Sequence, residues 1–286
     1  MAKLDFHNWY RPAVANPHIS DPTYVNIAAS ARFQPYIRCF WGSTCDFNPN
    51  ESFIYGNTLL IPDTCYDLLF IKNNTRGVYQ MMFLGMNDTY DIDQWDEADR
   101  DVSLFAIRFH FWTMNLITRF PMEGTLNQAL DPREIFPGME ELCERIFAQG
   151  DFKARIAVAE AYLEEQFDVS RLNAPFFNGV EFMLKRKGKS TLRQLTQHLG
   201  YSQRQTQRIF QRVMGVSPKQ AMSLVRYQCL WQEMLLKGET NYLDMVCKYG
   251  YTDQSYLIAD FRRYHSMTPK EALENVVFFL SQTRGK

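Results

Sequence analysis

Apolar residues recur at two different periods along this 286-residue chain, and the change of period divides it. Up to about residue 115, short runs such as FIYGNTLLIPD, YDLLFIK and VYQMMFLG are rich in β-branched and aromatic residues and are separated by Asn, Gly, Pro and Asp. That pattern predicts an antiparallel sheet or a small barrel. After about residue 125 the period becomes helical, with Leu142 and Ile146 on one face of a first helix and Ile156, Ala159 and Leu163 on one face of a second. These stripes exceed what a thin sheet must cover, so one of them is expected at a two-fold dimer contact. Residues near 168–176 read as a connection. The expected fold is α+β in two domains: residues 1–172 a β-rich, cupin-like small barrel with following helices, and residues 173–286 all-α.

The second part contains a repeat. GYSQRQTQRIFQRVMGVSPKQ from Gly200 and GYTDQSYLIADFRRYHSMTPKE from Gly250 superimpose with one added residue. In the first copy Thr191 with Gln194 forms a capping box ahead of Leu192, Leu195 and Leu199; Gly200 stops that helix. Ser202 with Gln205 then opens a second helix with an inward line of Thr206, Phe210 and Val213, and Ser217-Pro218 with Gln220 opens a third. The second copy repeats each device with Asn241, Gly250, Asp253 and Thr268-Pro269-Glu271. Two helix-turn-helix units are therefore expected, at about 191–213 and 241–264. Between them Met222, Val225, Cys229, Leu230 and Met234 fall at helical spacing in one long helix of roughly 30 Å, close to the roughly 34 Å between successive major-groove faces of a duplex.

The outer faces of these helices give the repeat a chemistry. Gln203, Arg204, Gln207, Arg208 and Gln211 are expected outward on the first recognition helix, without an acidic residue among them. Arginine and glutamine make bidentate bonds to guanine and adenine edges. The corresponding second-unit positions are Gln254, Ser255, Ile258, Ala259 and Arg262, with Tyr256 beside them, a set poorer in hydrogen bonds but able to touch thymine methyls. Charge supports this division of labour. From residue 175 onward there are 17 Lys and Arg against 8 Asp and Glu, a net of +9, whereas the earlier residues carry 14 against 24, a net of -10. A basic C-terminal region attached to an acidic one fits a polyanion partner.

Composition is that of an ordinary globular chain, 46% hydrophobic and 22% charged. No apolar run approaches membrane length and the first residues, MAKLDFHNWYRP, lack a secretory h-region, so a cytoplasmic protein without membrane association is expected. Cysteines 39, 45, 65, 143, 229 and 247 show no C-x-x-C spacing, and five scattered histidines give no ligand cluster; no metal and no cofactor is expected.

Residues 173–280 resemble the DNA-binding domain of the AraC/XylS family of bacterial transcription regulators, most specifically through GYTDQSYLIADFRRYHSMTP. Ser266 stands where that family usually has glycine, Ile258-Ala259 where it commonly has serine-arginine, and Thr206 where it has leucine. QPYIRCFW, LLIPDTCYDLLF and LFAIRFHFW resemble the sensor-like N-terminal domain of one branch, with Arg108-Phe109-His110-Phe111-Trp112 in place of Arg-Phe-x-Pro-Gly. The resemblance implies a sequence-specific regulator of double-stranded promoter DNA, an activator that works with RNA polymerase and responds to a small-molecule effector; the apolar stripes add the expectation of a homodimer. Trp41, Tyr66, Phe70, Arg108, His110 and Trp112 are candidate effector-pocket residues; an aromatic set in a β-domain also reads simply as core. Cys39 and Cys45 invite a redox switch, though buried thiols also serve as small hydrophobes. An effector-free regulator governed by abundance or a partner protein remains open, as does a β-barrel enzyme carrying a DNA-binding domain. The enzyme reading lacks a nucleophile-base pair or phosphate loop in the sequence.

Overall fold

The computed structural model describes residues 5–15, 24–43, 58–93, 102–238 and 241–283. Its N-terminal half contains strands β1 (Tyr24–Ile27), β2 (Ile37–Ser43), β3 (Thr58–Leu60), β4 (Cys65–Asn73), β5 (Val78–Leu84), β6 (Asp91–Asp93), β7 (Val102–His110) and β8 (Ala129–Leu130). The small barrel expected from the sequence takes the form of a six-stranded antiparallel sheet, ordered β1-β2-β7-β4-β5-β8, beside a two-stranded one of β3 and β6. Strands β4 and β7 pair along their whole length, from Cys65 opposite His110 to Asn73 opposite Val102.

Both faces of that central pair are covered, so its strands read as continuous apolar runs rather than as an alternation. Tyr66, Leu68 and Phe70 with Phe105, Ile107 and Phe109 point into the main core. Leu69, Ile71, Val102, Leu104 and Ala106 form a smaller cluster on the opposite face, with Trp41 and Met82 against it.

Helices follow: α1 (Met114–Ile117), α2 (Met139–Phe147) and α3 (Phe152–Gln166). Asp151 caps α3 by accepting the Ala154 N–H. Leu142 and Ile146 of α2, and Ile156, Ala159 and Leu163 of α3, are all buried in the main core of the same chain. The structure thus corrects the expectation that one of these stripes is spare for a two-fold dimer contact: aromatic contacts such as Phe105 on Phe152 and Tyr79 on Phe147 draw both helices onto the sheet.

The C-terminal half is helical: α4 (Ala174–Lys185), α5 (Leu192–Leu199), α6 (Gln203–Met214), α7 (Pro218–Lys237), α8 (Tyr242–Tyr249), α9 (Gln254–His265) and α10 (Pro269–Thr283). Capping boxes form at Thr191, Ser202 and Ser217, and Thr268 exchanges the same bonds with Glu271. Thr206, in the place of a leucine, is fully buried and directs its hydroxyl to the Ser202 carbonyl one turn back, which satisfies the group the substitution introduces.

The core does not divide at the connection near residue 172. One cluster runs from Phe6 through the sheet to Phe177, Phe210, Met214 and Val225. The Tyr66 hydroxyl donates to the Met214 carbonyl at 2.8 Å, and the Met122 N–H donates to the Arg212 carbonyl at 2.9 Å. Gly215 ends α6 at φ 71°, and a Cβ there would lie 2.4 Å from the Met122 carbonyl oxygen. Only glycine accepts both that dihedral and that approach.

Candidate nucleic-acid interface

The first recognition helix, α6, is fixed by what its inner side buries. Thr206, Phe210, Val213 and Met214 face the core, with the Phe210 ring edge-on to Phe176 of α4 at 5.2 Å. Helical periodicity then turns Gln203, Arg204, Gln207 and Arg208 outward, and all four are exposed. Gln211 is only half-buried, and its amide donates to the Gly215 carbonyl at 3.4 Å, closing the helix end. Of the five residues expected on this face, Gln211 is thereby partly committed to structure. Arg212, one position on, is exposed and extends the basic face. No ion pair involves Arg204, Arg208 or Arg212 among the described residues, so their charge is available to a polyanion.

The second recognition helix, α9, is held by a separate core. Leu257, Phe261, Tyr264 and His265 are buried against Tyr227 and Trp231 of α7. Gln254, Ser255, Tyr256, Ala259 and Arg262 are exposed, while Ile258 is half-buried and packs on this core. That packing reduces what Ile258 can offer a thymine methyl. Asp260 lies on the same helix but is tied to Arg226 of α7 at 2.9 Å, where it also accepts from Tyr251. Its negative charge is thereby neutralised.

Two residues that the pattern of outward positions missed belong here. Arg263 is exposed beside Arg262, yet its guanidinium reaches Asp88 of the N-terminal half at 3.2 Å. Asp88 also accepts from Gln220 at 3.3 Å at the head of α7. Lys189, before α5, donates to the Cys247 carbonyl at 3.2 Å near the C-terminal end of α8. A cation there complements the helix dipole and ties the first unit's approach to the second unit. The sequence holds no signal for a pair 175 positions apart.

The proposed effector-pocket residues are not brought round one cavity among the described residues. Trp41 and Arg108 lie on the outer face of the sheet, where Arg108 makes a fork to Asp67, a further bond to Asp63 at 2.9 Å, and stacks on the Trp41 ring. Burial by itself would lower the Arg108 pKa, but Asp63 and Asp67 outweigh it and raise it. Tyr66 and Phe70 are sealed in the main core against Phe83 and Phe105. His110 and Trp112 stack flat, 4.4 Å apart, on the side toward residues 7–12, with the indole N–H donating to the Pro35 carbonyl. Regular alternation explains the scatter, since Tyr66 and Phe70 share one face of the sheet while Arg108 points to the other.

Burial pushes the Cys39 thiol up to about 11, which suits a small hydrophobe and not a reactive thiolate. Cys45 lies outside the described residues, so the paired switch has no geometry to support it. Among the described residues no group of three or more His, Cys, Asp or Glu side chains could hold a metal. No helix among them is long and apolar enough to cross a membrane.

Residues 195–275 match a family model described as a helix-turn-helix domain. No curated protein sequence matches the chain. Similar solved structures include ToxT from Vibrio cholerae, with 11% identity, 82% of this chain and 98% of that chain covered, and a TM-score of 0.43. Another is wild-type ToxT from the same organism with an unsaturated fatty acid bound, at 9% identity, 82% and 94% coverage and a TM-score of 0.39. A third is ToxT bound to (E)-4-(8-methylnaphthalen-1-yl)but-3-enoic acid, at 9% identity, 89% and 98% coverage and a TM-score of 0.38. The two capped helix pairs, the shared long helix and the matched residues together make the C-terminal part of this chain a helix-turn-helix domain.

Proposed function

We propose that the protein is a sequence-specific transcription regulator whose two helix-turn-helix units enter major grooves on one side of a duplex. The observation that carries this reading is the exposed face of α6, where Gln203, Arg204, Gln207 and Arg208 stand together without a carboxylate partner among the described residues. Such side chains have the donors for base edges, and the surrounding basic surface supplies the phosphate attraction. The α7 helix spans 20 residues, roughly 30 Å, close to the roughly 34 Å that separates two successive major-groove faces.

The N-terminal half acts in this reading as the controlling part. It grips α7 and the end of α9 through Gln228 and Asp88, so an effector that changed that grip would change how the second unit is presented. Promoter activation with RNA polymerase is proposed on the family resemblance of the GYTDQSYLIADFRRYHSMTP stretch.

Fluorescence anisotropy of the full chain on a selected site and on a scrambled duplex tests the reading. Affinity should fall with salt at a logarithmic slope of about -0.9 per phosphate neutralised, and the selected site should bind at least ~10³-fold more tightly than the scrambled one. A folded full chain with no affinity for duplex DNA at low salt would overturn it. The full chain is the right material, because a cut near residue 172 would strip Phe176, Phe177 and Met214 of their packing partners.

A further inference from the structure

A crevice of about 130 Å³ opens where the N-terminal segment crosses the edge of the sheet, lined by His7, Arg11, Ala28, Gln34, Ile37, Arg38 and His110. At the ~30 Å³ a water molecule occupies in the liquid, it holds about four waters. That is room for one small charged group, with the rest of any larger ligand projecting outward.

His110 forms the floor. Its backbone N–H is fixed to the Tyr36 carbonyl at 3.0 Å and its ring lies against Trp112, leaving it 2% exposed. The Nδ1 atoms of His110 and of His7 are both buried and have no hydrogen-bond partner among the described residues. Buried polar atoms are nearly always paired in folded proteins, so two unpaired nitrogens lining one small crevice point to a missing partner.

The charges around the crevice have one sign. Arg11 bonds through Nε to the His7 carbonyl at 3.0 Å, and Arg38 through Nε to the Pro12 carbonyl at 3.4 Å. Neither guanidinium meets a carboxylate among the described residues. Burial, with Arg38, His7 and Arg11 acting in the same direction and the Gln34 backbone opposing them, holds His110 well below the usual histidine range. The wider cleft lined by Tyr79, Met81, Asp131 and Arg133 offers no comparable site, since its arginine is already paired with Asp131 and Glu140.

We propose that this crevice binds a small anion, a carboxylate or a phosphate group, between Arg11 and Arg38 with the histidine nitrogens beneath it. Two guanidinium groups on different elements provide charge-assisted bonds to an anion, and the anion's charge favours a histidine proton facing it. The placement gives binding a consequence. Arg11 lies two residues before Ala13, whose backbone bonds Gln228 of α7 in both directions, and three before Val14, whose carbonyl accepts from the Trp231 indole. An anion bridging Arg11 to Arg38 fastens that segment to the sheet and so fixes the helix that carries both DNA-binding units. This consequence rests on the regulator reading above; the binding itself does not.

Isothermal titration of the full chain, without DNA and at constant ionic strength, with sodium phosphate and separately with sodium acetate tests the site. Saturable binding of either probe is expected, and the probe that saturates identifies the source of the anion. Arg38→Gln and the exposed Arg11→Gln should each weaken it about tenfold or more, while Arg32→Gln, at a separate exposed pair with Glu164, should leave it unchanged. No saturation with either probe, or equal affinity in Arg38→Gln, Arg11→Gln and the unaltered chain, overturns the proposal. If the anion binds as expected but leaves DNA affinity unaltered, the site stands and its regulatory consequence fails.

Discussion

The two helix-turn-helix units are built from the same sequence devices yet are held in different ways. The first has no core of its own: Leu195, Phe210, Val213 and Met214 belong to the cluster that fills the sheet, and Tyr66 and Met122 bond its last turn directly. The second packs in a separate cluster on the other side of α7, to which the N-terminal half contributes buried Ala15 and Ile61 and partly buried Ala13 and Leu59. The first unit therefore shares the core of the N-terminal half, while the second depends on α7, on residues 13–15 and on the Asp88 contact. The unit whose exposed face is richer in Arg and Gln is the one whose position cannot change without opening the core. Control by the N-terminal half should then act through the second.

The largest effect should come from the contact that holds the second unit. Gln228 is fully buried and bonds the Ala13 N–H, the Ala13 carbonyl and the Pro62 carbonyl at 2.7–3.0 Å. Gln228→Leu strands those three groups, and at about 1–3 kcal/mol for each unpaired buried group the loss of stability should reach about 3 kcal/mol. Urea unfolding measures it, and limited proteolysis should find new cleavage near residues 11–15. An unchanged midpoint would break the comparison, because the second unit would then stand without the segment.

Next in size is the contrast between the reading faces. Arg208→Ala should cost about 1–3 kcal/mol on the selected site, roughly 5- to 150-fold, and much less on a scrambled duplex. Arg262→Ala, with half-buried Ile258 and exposed Ala259 as its neighbours, should weaken both duplexes alike and make the salt slope shallower by about one contact. Equal losses on both duplexes for Arg208→Ala would remove the first unit's claim to specificity.

The second core should also make the chain sensitive to pH. His265, packed against Trp231 and Phe261 in the second cluster, is held by burial at about 3. Since the unfolded chain takes up this proton near 6.5 and the folded one does not, stability falls as pH drops from about 6.5 towards 3, by about 2 kcal/mol at pH 5. Desolvation lowers His110 in the same direction, so the full chain carries both contributions. Thermal unfolding between pH 7 and 5 should show the loss, and His265→Gln should flatten the slope by up to one proton. A slope that His265→Gln leaves untouched would place the pH sensitivity elsewhere.

The smallest effect concerns how each recognition helix ends. Gly215 closes α6 at φ 71°, whereas Ser266 closes α9 at φ 63°, a left-handed conformation that costs a residue with a Cβ. Ser266→Gly should stabilise the chain by about 0.5–1 kcal/mol without altering DNA affinity, as thermal unfolding and anisotropy together would show.

The local rules were legible because they act over a few residues. Every capping serine and threonine named from spacing alone makes its bond, and α7 runs over the stretch from Pro218 to Lys237 that its apolar period marks out. Most outward residues of α6 and α9 followed from the inward ones, since a helix that buries one stripe must expose the other; Gln211 and Ile258, at the edges of the stripe, are half-buried.

What the sequence could not determine is which surfaces find one another. The stripes of α2 and α3 were identified correctly as apolar, but only packing decided that the sheet of the same chain covers them. The aromatic residues of β4 and β7 were visible, yet alternation between two covered faces sent Tyr66 and Phe70 inward and left Arg108 with Asp63 and Asp67 outside. Arg263 meeting Asp88, Gln228 meeting Ala13, and His7 with His110 and Arg38 closing a crevice all join positions dozens to hundreds of residues apart. Periodicity and capping depend on neighbours along the chain and can be read from it; these contacts depend on neighbours in space, and only the folded chain creates them.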